Sequence, residues 1–179
     1  DLVRSRGLGD VYKRQDIYCE KYADETELML QKNNMSEAER EEFLDRFSEE
    51  SDRTLVAFGI MGGIFGEGID LKNDRLIGAI VVGTGLPQIS NERTILKDYY
   101  DAENGCGFDY AFRYPGINKV LQAAGRVIRT TEDTGVILLL DERFWQREYD
   151  LLYPREWSDR KPCNIANVGK LVADFWEQI

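Results

Sequence analysis

Leu55–Leu71 reads LVAFGIMGGIFGEGIDL, an apolar run that stops in a cluster of glycines and two carboxylates. Leu55 to Ile60 has the length and near-continuous apolar character of a buried strand. Gly62, Gly63, Gly66 and Gly68 then crowd its end, with Glu67 and Asp70 close behind. Glycine permits positive φ and close backbone approach, so N–H groups in such a loop can meet a phosphate or a ribose. The same string also suits a plain glycine-rich turn with solvated acids. It is not a P-loop, because no G-K-[ST] occurs in the chain.

Working outward, two further apolar runs have the same character: Leu76–Val82 (LIGAIVV) and Val136–Leu140 (VILLL), the latter ending in Asp141. Glu27–Gln31 is a shorter strand candidate. Helical signals lie between. Residues 16–23 look like the end of a helix. Ser36 and Glu39 have the spacing of a capping box, and a charged helix to about Glu50 carries Phe43, Leu44 and Phe47 as a narrow apolar stripe. Ile165, Val168, Leu171, Val172, Phe175, Trp176 and Ile179 keep helical spacing, which predicts a terminal helix packed on the core. The pattern is an α/β fold: a parallel sheet covered by helices on both faces, with ligands expected at the carboxyl ends of the strands.

The second informative stretch is Ile117–Arg129, INKVLQAAGRVIR. Ile117, Val120, Leu121, Ala124, Val127 and Ile128 line one face of a predicted helix, and Gln122, Arg126 and Arg129 form a separate polar stripe. Gly125 costs such a helix about 1 kcal/mol relative to alanine. Two guanidiniums a turn apart suit phosphate oxygens, although solvated surface arginines have the same spacing.

Composition narrows the chemistry. The chain has 179 residues, 42% hydrophobic, enough for one domain with a core. It has no histidine, which excludes histidine acid–base chemistry and histidine metal sites. Cys19, Cys106 and Cys163 are too scattered for a CxxC metal site, a complete iron–sulfur site or a disulfide framework. No apolar run approaches the roughly 20 residues of a membrane span. These features predict a cytoplasmic protein. A net charge of −10 implies few contacts to nucleic-acid phosphates.

Ser5–Gln15, SRGLGDVYKRQ, resembles a translated sequencing-library adapter. Residues 1–15 are therefore expected to be an artefact and residues 16–179 the natural domain, N-terminally truncated.

Taken together, the two glycine- and arginine-bearing segments resemble motifs V and VI of superfamily 2 helicases of the XPD/DinG type. GEGIDL resembles motif V, with Gly66 where the family usually has serine, and QAAGRVIR resembles motif VI, Q-x-x-G-R-x-x-R. GTGLP (Gly83–Pro87), NERTILKDYY and YPGINK also read like that family. The resemblance covers residues 16–179 and implies a second RecA-like motor domain of an ATP-dependent DNA helicase. It further implies that Arg126 and Arg129 are arginine fingers on the γ-phosphate of ATP, assisted by Gln122. Glu67, Gly68 and Asp70 would shape and contact the nucleotide side of their loop. Gly62, Gly63 and Thr84 would meet single-stranded DNA. The P-loop, Mg²⁺ and any iron–sulfur cluster would belong to a first RecA-like domain, the principal partner. The alternatives are a RecA-like binding module without ATP coupling and a flavodoxin-like nucleotide-binding enzyme.

Overall fold

The computed structural model describes residues 16–32, 34–48, 51–62 and 76–179. Residues 16–22 are helical, and Tyr18 sets its ring edge-on to Phe58 at 5.9 Å between centroids. The first strand, β1 (Thr26–Leu30), pairs in parallel with β2 (Thr54–Phe58), Thr26 opposite Thr54 and Leu30 opposite Phe58. A parallel pair needs a crossover, and here it contains α1 (Glu37–Asp45). Ser36 caps α1 as its spacing predicts. Its Oγ accepts from the Glu39 N–H at 3.3 Å, while Glu39 Oε2 accepts from the Ser36 N–H at 2.8 Å. Those hydrogen bonds to Ser36 hold the Glu39 carboxyl below its ordinary pKa. The charged helix is shorter than its sequence suggests: it gives way at Arg46 to a 3₁₀ turn, Arg46–Ser48. Arg46 pairs with Glu27 across the start of β1.

The second pair is β3 (Gly78–Val82) with β4 (Val136–Leu140), again parallel, Gly78 opposite Val136 and Val82 opposite Leu140. Its crossover holds α2 (Asn91–Asn104), a π-helical turn (Asp109–Arg113) and α3 (Tyr114–Ala124). Ser90 caps the start of α2, and Gly105 ends it in the left-handed region at φ 72°. After β4 come a 3₁₀ turn (Glu142–Trp145), a single helical turn α4 (Arg147–Asp150), another 3₁₀ turn (Arg155–Trp157) and α5 (Val168–Trp176). No helix among the described residues is long and apolar enough to cross a membrane.

The main core lies between β3 and α3. Val81, Ile117, Val120, Phe144 and Tyr149 are buried together, with Leu139, Leu121, Met61 and Tyr153 packed around them. A smaller cluster surrounds Phe43, formed by Met29, Met35, Leu44, Phe47, Ala57 and Leu76.

The elements are those of the expected α/β chain with parallel strand pairs, and burial among the described residues is uneven. Val81 points to α3, whereas Ile80, one residue away on the opposite face, is 64% exposed and Val82 is also exposed. Side chains alternate along a strand, so Val81 and its two neighbours face opposite sides of this pair. The terminal helix does form, but it is not a core helix: none of its residues is buried, and nearby Ile165 is 99% exposed. Helical periodicity reports an apolar face; it does not report what covers that face.

Candidate functional site

Three of the sequence-predicted segments meet around α3. The loop after β2 turns at Met61–Gly62. Gly62 adopts φ 85°, a conformation that favours glycine, and the Lys119 side chain of α3 lies against it. A Cβ built on Gly62 would sit 3.7 Å from Lys119 Cε. Gln31 steadies the approach to this turn, its Oε1 accepting from the Ile60 N–H at 3.1 Å. Gly63, Gly66, Glu67, Gly68 and Asp70 lie outside the described residues.

The loop after β3 is pressed against the start of α3. Gly85 has φ 68°, and a Cβ there would fall 2.7 Å from the Gly116 carbonyl oxygen. A Cβ on Gly116 would in turn meet the Thr84 carbonyl oxygen at 2.7 Å. Two glycines thus allow main chain to rest on main chain. Thr84, expected from the sequence to meet DNA, is only 1% exposed, and its hydroxyl has no hydrogen-bond partner among the described residues.

The arginine segment also departs from the expected geometry. The helix stops at Ala124, and Gly125 is its C-cap, not an interior residue; its N–H donates to the Leu121 carbonyl at 2.8 Å. Arg126 and Arg129 consequently lie beyond the helix and share no helical stripe with Gln122, which is exposed on the last turn. The tightening is local: the Arg126 and Val127 N–H groups donate three residues back, to Ala123 and Ala124. Val127 is buried, anchored against Gly135, while Ile128 is exposed. Asp133 closes the far side. Its Oδ2 accepts from the Arg129 N–H at 2.8 Å and the Thr130 N–H at 2.7 Å. The two arginines thus belong to a turn held by a buried valine between them and a carboxylate after them.

Asp141, at the end of β4, is committed to Arg143: Nε donates to Oδ1 at 2.8 Å and a terminal nitrogen to Oδ2 at 2.7 Å. Those hydrogen bonds lower the Asp141 pKa and raise that of Arg143. Arg113 is similarly engaged, paired with Asp109 and set over the rings of Phe108 and Tyr149.

Two residues of this region escape sequence reasoning. Asp133 is one acid in an ordinary polar turn, TTED, and only the Thr-Glu-Asp turn chemistry hints that it bonds back to the main chain. Lys119 matters only because the fold brings Gly62 and Gly85 to it.

Residues 11–160 match the family model of the helicase C-terminal domain. The chain is 32% identical over 145 residues to the ATP-dependent DNA helicase XPD of Sulfolobus acidocaldarius, covering 75% of this chain and 24% of that protein. It is 30% identical over 138 residues to the ATP-dependent DNA helicase DinG of Photobacterium profundum, covering 72% and 20%. A further relative is the regulator of telomere elongation helicase 1 of Bos taurus, 30% identical over 113 residues, covering 58% and 9%. The chain spans about a quarter or less of the length of these relatives. With motif V-like and motif VI-like segments in order along the sequence, the chain belongs to the helicase C-terminal domain family, in its XPD/DinG branch.

Proposed function

We propose that residues 16–179 are the second motor domain of an ATP-dependent DNA helicase and that Arg126 and Arg129 act on the γ-phosphate of ATP held by a first RecA-like domain. The observation that carries this reading is the anchored turn. Phosphoryl transfer gains most from cations already in position when charge develops on the equatorial oxygens. Val127 restrains the main chain between the two arginines and Asp133 restrains it after them, so little main-chain ordering remains to be done when the cleft closes. Gln122, at the same end of α3, would assist in this reading.

Glu67, Gly68 and Asp70 form the nucleotide side of the loop after β2 in this reading, and Gly62 and Gly63 its DNA side. Thr84 positions the loop after β3 against α3 without touching the strand. ATP supplies the transferable phosphoryl group; this chain orients it and neutralises charge. In this reading magnesium and any iron–sulfur cluster would belong to the first RecA-like domain. Cys19, Cys106 and Cys163 are separate free thiols.

The test is turnover in the intact helicase. Arg126→Ala and Arg129→Ala should each lower kcat by orders of magnitude, toward the roughly 10³–10⁵ range of other arginine fingers, with a smaller loss of ATP affinity. Lysine should rescue poorly, lacking the planar fork. Turnover near wild type, or falling only in step with the melting temperature, overturns the assignment. The chain alone should hydrolyse no ATP with single-stranded DNA present. It should bind that DNA weakly, near 10⁻⁴ to 10⁻⁶ M by order of magnitude at physiological salt, and with strong salt dependence.

A further inference from the structure

We infer that Lys119 is the cation that meets a backbone phosphodiester of the single strand where the loops after β2 and β3 come together. The inference rests on the strand-track reading above and names the residue that would do the holding. Its position is the first argument. Lys119 touches both loops: its Cε lies 3.7 Å from where a Gly62 Cβ would be, and its Cβ lies 3.5 Å from where a Gly85 Cβ would be. Both glycines have positive φ, 85° and 68°, so both loops present bare main chain beside the ammonium-bearing side chain. Ligands of parallel strands collect at this end.

Charge is the second argument. Around α3 the neighbouring cations have partners: Arg113 has Asp109, Arg143 has Asp141, and Lys97 on α2 has Asp101 at 2.5 Å. Among the described residues, no ion pair or hydrogen bond engages the Lys119 ammonium. Lys119 is also the one charged residue of α3, in a chain whose net charge is −10. A chain so acidic cannot hold a strand by bulk attraction and must use a few placed cations. A compact ammonium on a half-buried stem suits a point contact with one phosphodiester oxygen.

The experiment uses the whole 179-residue chain and a labelled oligothymidylate, followed by fluorescence anisotropy across a salt series. Lys119→Met keeps the apolar stem and removes the charge, Lys119→Gln is a second neutral variant, and Lys119→Arg keeps the charge. Loss of one phosphate contact should weaken binding several-fold at low salt. It should also flatten the slope of log K against log salt by about 0.7 for a single strand. Lys119→Arg should restore most of both, and all three should melt like wild type. Wild-type affinity and slope in both neutral variants would overturn the role of Lys119 while leaving the strand track intact. No binding by the wild-type chain even at low salt would overturn the strand track itself, and this inference with it. A tripolyphosphate competition separates the sources of phosphate: weaker competition by tripolyphosphate in the neutral variants, with unchanged oligothymidylate binding, would move Lys119 to the nucleotide and overturn the inference.

Discussion

Two parallel strand pairs, each closed by a helical crossover, carry very different cores. Among the described residues around β1 and β2 the buried centre is Phe43, ringed by half-buried methionines, aliphatics and Phe47. Around β3 and β4 it is five buried residues from four elements. The cause is legible in the helices. Six of the nine residues of α1 are charged, which leaves a stripe one or two side chains wide. Of the eleven residues of α3, Lys119 alone is charged. Burial of apolar area is the dominant stabilising term, so the second pair should be the cooperative centre of the fold. The functional candidates follow that division. Arg126, Arg129, Lys119 and the loop at Thr84 all hang from the well-packed pair, where geometry can be held.

The largest test of this contrast uses one chemistry in two places. Phe43 and Phe144 are each 6% exposed. Phe144→Ala should cost about 3–5 kcal/mol, whereas Phe43→Ala should cost at least ~1 kcal/mol less, because the cost of a cavity depends on how far the site can collapse. Urea midpoints, compared at constant slope, read the difference; equal losses would break the comparison.

Gly135→Ala sharpens it next. A Cβ there would collide with Val127 and lie 2.8 Å from the Ile77 carbonyl oxygen. Overpacking of this kind costs about 1–3 kcal/mol, and it should also push the arginine turn out of place. Thermal melting beside turnover in the intact helicase should show activity falling further than stability. Asp133→Ala comes third. It strips one acceptor from two main-chain N–H groups and should cost about 1–2 kcal/mol, with partial recovery in Asp133→Asn. No change in melting would mean that the turn is held by Val127 alone.

The smallest effect is alkaline. Burial pushes the Tyr153 phenol up to about 12, and its hydroxyl donates to the Phe144 carbonyl at 2.8 Å. A raised folded-state pKa contributes stability that is intact below the ordinary tyrosine pKa near 10 and is lost as pH climbs toward 12. Tyr153→Phe should therefore leave neutral stability almost unchanged and flatten the loss of stability between pH 10 and 12, read by melting at each pH. An identical alkaline profile in both proteins would place the phenol in water rather than against the main core.

These contrasts also show why some of the fold was readable and some was not. Ser36 and Glu39 act within one turn, so four residues of sequence suffice to predict the cap. Val136–Leu140 is apolar throughout and bounded by Gly135 and Asp141, so its limits were plain. The end of α3 was not. Val127 continues the apolar spacing of the helix, yet it is buried from a turn, and spacing alone cannot distinguish the two. Gly125 could be an interior residue that needs close packing or a cap, and only the path of the chain toward Gly135 decides for the cap. Lys119 was silent for a different reason: its significance depends on two glycines 57 and 34 positions upstream. The motif resemblance, by contrast, rests on residue identities and their order along the chain and needs no geometry.

The π-helical turn before α3 has a consequence for which lengths of chain this family member can tolerate. The Tyr114 N–H donates five residues back, to the Asp109 carbonyl, so the turn holds one residue more than an α-helical turn would. At the start of the turn, Tyr110 stacks on Tyr100 at 4.0 Å between centroids; downstream, Gly116 docks on the Thr84 carbonyl. Each residue advances an α-helix by about 100°. Deleting one between Asp109 and Arg113 would mend the hydrogen-bond ladder but swing either the tyrosine stack or the Gly116 dock out of phase. The extra residue works as a rotational shim, and a homologue lacking it would have to re-aim α3 by other means.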